Sequence, residues 1–239
     1  MVSLNMNNQK LEKVFKQLGN KEVANHSQRF FKTGKGEYGE GDIFLGIRVP
    51  VVRKLVKEYL ALPLEEIPNI LQSQYHEMRL FAVILMTEKY KKADEKTKKA
   101  IYQLYISNLD FVNNWDIVDA SAHKIVGPYL MNKDRKPLYK LAKSNNIWRR
   151  RVSVISTFHF IDNGQFDDAL NISLLLINDT HDLIHKATGW VLREVGKKNN
   201  KVEEEFLISN YKNMPRTMLR YAIEKFPEKK RKAYLHGKV

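Results

Sequence analysis

Arg151-Val152-Ser153-Val154 has four degenerate counterparts in the chain: Arg79-Leu80-Phe81-Ala82, Asp119-Ala120-Ser121-Ala122, Lys186-Ala187-Thr188-Gly189 and Arg220-Tyr221-Ala222-Ile223. Each sets a charged residue ahead of small or apolar ones, near the start of a segment whose apolar residues recur with period 3.6. The charged positions lie 40, 32, 35 and 34 residues apart, about the length of one helical hairpin. Stacked hairpins of this kind make an α-solenoid, in which equivalent positions line up along one concave face.

The surrounding sequence points the same way. Amphipathic helices are predicted over 10–18, 50–60, 77–90, 96–109, 118–130, 137–143, 149–160, 167–177, 183–195, 202–211 and 215–225. Pro50, Pro137 and Pro215 stand at first-turn positions, and Asp94 and Asp134 are candidate N-caps. No run alternates with period 2, so the fold class is all-α: a solenoid of degenerate helical hairpins forming one domain over 1–239. Five of the eleven glycines crowd into Thr33–Gly46, which reads as a flexible loop carrying the cations Lys32 and Lys35 at its start. Residues 227–239 form a basic C-terminal segment in which Lys229-Lys230-Arg231-Lys232 is a solvated helix face.

Composition narrows the partner. The 239 residues carry 41 Lys+Arg against 27 Asp+Glu, a formal charge of +14, and no cysteine. Disulfides, thiolate nucleophiles and cysteine metal sites are thereby excluded. The longest apolar run, Leu80 to Met86, is too short to span a bilayer, and the first ten residues do not form a signal peptide. A soluble cytoplasmic protein with a polyanionic partner is expected, nucleic acid first.

Arg79, Arg151, Lys186 and Arg220 make a row of cations down the expected concave face, deepened by Lys124, Arg149 and Arg150. Such a face suits a phosphodiester backbone. Asp119 is the one acid in the row. It either pairs with Arg79 or Arg151, a purely structural role, or stands beside a centre that turns positive during a reaction. Trp115 lies four residues before Asp119 and Trp190 four after Lys186, so each indole shares a helix face with its charged neighbour. Either ring alone would serve as core filler, as Trp148 does near its helix start. Together they suit a cationic nucleobase, since aromatic faces attract cations by ~0.5–2 kcal/mol and stack on bases.

Asn114-Trp115-Asp116-Ile117-Val118-Asp119, Trp148-Arg149-Arg150-Arg151 and Ala187-Thr188-Gly189-Trp190-Val191-Leu192-Arg193-Glu194 resemble the AlkD family of DNA alkylation repair proteins. Phe44-Leu45-Gly46-Ile47-Arg48-Val49-Pro50 and Pro215-Arg216-Thr217-Met218-Leu219-Arg220-Tyr221-Ala222 are similar to it as well. The resemblance implies a HEAT-like solenoid with a concave basic groove. It also implies a monomeric DNA glycosylase that excises N3- and N7-alkylated purines from duplex DNA in base excision repair, without metal or organic cofactor. Trp115, Asp119 and Trp190 then hold the catalytic positions and Arg151 the main phosphate contact, so that the protein is nucleoid-associated when bound. Active members carry a tyrosine where this chain has Phe30 or Phe31. Some branches bind branched DNA without excising anything, which is the alternative here. A protein-interaction solenoid with an acidic partner is a third.

Two further motifs are set aside. Gly34-Lys35-Gly36-Glu37-Tyr38-Gly39 spells G-x-G-x-x-G but follows a helix, not a strand, so it does not mark a nucleotide site. His181 and His185 are spaced as a metal pair but lack a third ligand, and solvent-facing histidines are expected there.

Overall fold

The computed structural model describes residues 8–239, so the expectation about a signal peptide falls mostly outside the described residues. The chain divides into two compact units, one ending at Ser121 and the other beginning at Ala122. The first holds α1 (Asn8–Leu18), α2 (Lys21–Phe30), α3 (Val49–Glu58), α4 (Ile67–Leu71), α5 (His76–Lys92), α6 (Glu95–Ser107) and the opening turns of α7 (Trp115–Leu130). The second holds the rest of α7, then α8 (Lys136–Ala142), α9 (Ile147–Ser156), α10 (Phe158–Asp162), α11 (Asp167–Leu175) and α12 (Asp182–Lys198). It ends with α13 (Asn200–Asn210), α14 (Arg216–Ala222) and α15 (Glu228–Leu235). Among the described residues there is no β-strand, only an isolated parallel bridge between Ile43 and Tyr75.

In the first unit α5 is the hub. Its unbroken apolar run Leu80–Met86 is buried on every side, as expected of a helix apolar all round. Helices α3, α4 and α6 pack on it, and α1 delivers Phe15 edge-on to Phe81 at 5.5 Å. Helix α2 was not foreseen by periodicity, because none of its ten residues is buried. It starts on its cap: Asn20 Oδ1 accepts the Val23 N–H at 3.0 Å. Asp94 likewise caps α6, accepting the Thr97 N–H at 2.8 Å.

In the second unit α12 packs between α9 and α14, while α8, α11 and α13 lie behind as the partner helices of the hairpins. Gly189 allows the close approach of α12 to α14, since a Cβ there would stand 2.4 Å from the Met218 carbonyl oxygen. The helix expected over 149–160 is two helices, α9 and α10, separated at Thr157. There the Ser156 and Thr157 hydroxyls donate back to the carbonyls of Val152 and Val154, which competes with regular helix bonding. Four of the five charged repeat positions share one register: Asp119, Arg151, Lys186 and Arg220 are the fifth residues of α7, α9, α12 and α14, while Arg79 is the fourth of α5.

Candidate nucleic-acid interface

Helix α7 opens at Trp115, directly after Asn114, whose carbonyl accepts the Val118 N–H at 3.1 Å. Trp115 is half-buried. Its indole stacks on Phe31 with centroids 5.1 Å apart and planes 14° off parallel, and meets Phe30 edge-on at 6.0 Å. Phe30 itself is 59% exposed, so this aromatic group reaches solvent. Asp119 follows one turn later and is also half-buried. Burial raises the Tyr105 hydroxyl from its ordinary pKa; the charge of Asp119 adds to this, against the hydrogen bond to Ser121 Oγ at 2.9 Å.

Behind Trp115 lies a charged network that no spacing in the sequence foretold. His76, the first residue of α5, is 1% exposed. Its Nδ1 stands 2.8 Å from Asp42 Oδ2 and its Nε2 2.8 Å from Asp116 Oδ2. Asp42 also accepts from Arg79 Nη2, and from Asn114 Nδ2 at 3.2 Å. Burial opposes the charge on His76, but Asp116 and Asp42 outweigh it and raise its pKa to about 9. Burial likewise pushes Asp42 up, yet His76 and Arg79 together hold it below the usual carboxylate range. One residue on from His76, Glu77 accepts the backbone N–H groups of Leu45, Gly46 and Ile47 at 2.9, 2.7 and 3.1 Å.

Two expectations change as a result. Arg79 does not join an open cationic face: it is 4% exposed and paired with Asp42. The glycine-rich segment is no loose loop at its C-terminal end, where Asp42 and Glu77 fasten it to α5. Gly46 is required there, with φ +80° and a Cβ position only 2.0 Å from the Asn20 carbonyl oxygen.

In the second unit Arg151 is 5% exposed, and its Nη1 donates to the Leu183 carbonyl at 2.6 Å. It therefore ties α9 to the start of α12 and does not stand in the open. Arg150 is spent similarly, on Asp179 at 2.6 Å and on the carbonyls of Ser144 and Asn145, both at 2.9 Å. Lys186 is half-buried and pairs with Asp182 at 2.8 Å; Lys124 is half-buried on α7, and Arg220 is exposed on α14. Trp190 is half-buried, with its Nε1–H donating to Glu194 at 3.1 Å and Phe158 at 4.6 Å between centroids. Trp148 is buried at the second position of α9. At α12, His181 and His185, expected to face solvent, are half-buried and hydrogen-bonded. His181 caps the helix, its Nδ1 accepting the Leu183 N–H at 3.1 Å, and His185 Nε2 bonds the Asp179 carbonyl.

Paired helices with their charged positions in register define a HEAT-like helical-repeat protein. The chain belongs to the DNA alkylation repair enzyme family, whose model matches residues 11–226. Two solved structures share the fold. One is described as a predicted DNA alkylation repair enzyme from Enterococcus faecalis, with TM-score 0.67, 21% identity, and coverage of 88% of this chain and 97% of that one. The other is AlkD2 from Streptococcus mutans, with TM-score 0.52, 20% identity, and coverage of 92% and 97%. No curated protein matches the chain.

Proposed function

We propose that the protein is a DNA glycosylase that excises N3- or N7-alkylated purines from duplex DNA, acting as a monomer. Alkylation at either nitrogen makes the purine cationic, so it leaves as a neutral base with the electrons of the glycosidic bond. Positive charge is left on the deoxyribose, and water completes the hydrolysis at C1′. Asp119 stabilises that oxocarbenium-like sugar and orients the water, a contribution of about 3–4 kcal/mol by comparison with other single electrostatic stabilisers. Trp115 and Trp190 hold the sugar and the damaged strand through ring faces. Arg220, Lys186 and Lys124 supply phosphate contacts. Arg79, Arg150 and Arg151 act from within, as the anchors of α5 and α9.

The observation that supports this reading is the start of α7. An indole and a carboxylate sit one turn apart there, both half-buried and neither sealed in the core, in a chain of charge +14. Release of 7-methylguanine and 3-methyladenine from methylated duplex DNA tests it. Asp119→Asn is expected to slow release by about 10²–10³ with DNA affinity intact; equal activity in the variant would return Asp119 to a structural role. One observation favours a non-excising DNA binder instead: both rings packed on Trp115, Phe30 and Phe31, lack a hydroxyl. Under that reading the wild-type protein binds methylated duplex and releases no base.

A further inference from the structure

We propose that His76 is a positioning residue for Trp115 and Asp119: as an imidazolium it bridges Asp42 of the glycine-rich segment to Asp116 in the first turn of α7, and so sets that turn. The catalytic part of this inference rests on the glycosylase reading; the bridge itself does not.

The geometry suits a charged ring between two ionised carboxylates. A neutral imidazole carries one N–H and can satisfy one carboxylate. Here both ring nitrogens stand 2.8 Å from carboxylate oxygens, so a neutral ring would turn a lone pair toward one of them. The other charged groups of the network are Arg79, which shares Asp42, and Glu77, which is taken up by three backbone N–H groups. Phe44 covers the imidazole at 4.3 Å and 23°, and Phe31 at 5.1 Å.

His76 therefore reaches the candidate site by two routes. Asp116 is the chain neighbour of Trp115 and lies one turn before Asp119, so its bond to Nε2 fixes the helix start that carries both. Phe31 touches the imidazole and also stacks on the Trp115 indole, so the ring plane of the tryptophan is set from the same residue. Asn114, donating to Asp42, holds the residue just before the helix. The glycine-rich segment thus acquires a role: it delivers Asp42 as the fixed end of the bridge.

The test begins with the intact wild-type protein labelled with 5-fluorotryptophan, its Trp115 resonance assigned through Trp115→Phe. Between pH 7 and 10 that resonance is expected to shift with a midpoint near 9, and the transition is expected to be absent in His76→Gln. A Trp115 resonance that stays put over this range, or one that titrates identically in His76→Gln, overturns the bridge. If His76→Gln does not fold, 15N spectra of wild-type imidazole decide: both His76 nitrogens protonated at pH 7.5 supports the bridge, one bare nitrogen overturns it. For the catalytic part, Asp116→Asn is expected to slow single-turnover base release about 10- to 100-fold while shifting DNA affinity less than about threefold. Parallel losses in rate and affinity would make the network structural only. A wild-type protein that releases no base refutes the glycosylase reading alone, and the fluorine titration still reports on His76.

Discussion

His76 and His181 both sit at the start of a helix, α5 and α12 respectively, yet they are used in opposite protonation states. His76 gives its ring hydrogens to two carboxylates and sits among Phe31 and Phe44. His181 accepts a backbone N–H at Nδ1, which only an unprotonated nitrogen can do. Burial, with Arg150 and His185 adding to it, outweighs Asp179 and Asp182 and lowers its pKa. One imidazole is a buried cation held by anions; the other is a neutral cap beside an arginine. The environment around each ring, not its position at a helix start, selects the state.

Removing an acid from each site gives the largest expected contrast. Asp42→Asn takes the shared counter-charge from His76 and Arg79 at once, leaving two buried cations short of a partner. A loss of about 3–5 kcal/mol is expected in urea denaturation. Asp179→Asn in the second unit removes the ion pair of Arg150, which keeps its bonds to the Ser144 and Asn145 carbonyls. About 1–3 kcal/mol is expected there. Equal losses would erase the distinction between a buried ionic hub and a capped helix.

Titration sharpens the contrast. The folded-state pKa of His76, about 9, lies above the ordinary value of 6.5. Its contribution is therefore complete below pH 6.5, falls as the unfolded chain releases a proton the folded one keeps, and is gone above about pH 9. Linkage puts the total near ~3 kcal/mol. Urea midpoints at pH 6, 7.5 and 9 measure it, and His76→Gln should flatten that part of the decline. A wild-type profile no steeper than the variant's would show that the ring is neutral.

These two sites also mark how far the sequence could be read. The second unit follows short-range rules: the repeat spacing of Arg151, Lys186 and Arg220 survives as a shared fifth position in their helices. Trp115 and Asp119 are likewise legible, because i,i+4 neighbours on one helix need no tertiary information. Helix α2 escaped because only Val23, Ala24 and Phe30 of its ten residues are apolar, too few to display a period, and its start rests on the Asn20 cap. The His76 hub escaped for a different reason. Its partners lie 34 residues upstream and 40 downstream, and nothing in a period of 3.6 links them. Arg79 and Arg151 look like surface cations in sequence, where charge is visible and burial is not. Only packing shows that they face inward.

The smallest effect belongs to the cap. With its folded-state pKa below the ordinary 6.5, His181 contributes stability that is present above pH 6.5 and lost as pH falls toward the folded value. Below that point protonation of Nδ1 converts an acceptor into a second donor facing the Leu183 N–H. His181→Ala should cost about 1 kcal/mol at pH 7.5, the usual worth of an N-cap, and nearly nothing in acid. His181→Asn should restore the bond, since an asparagine oxygen accepts at every pH, and thereby remove this acid limb from the urea midpoints. The outcome against this account is an Asn variant as acid-sensitive as wild type. It would move the limb to another group at the same helix start.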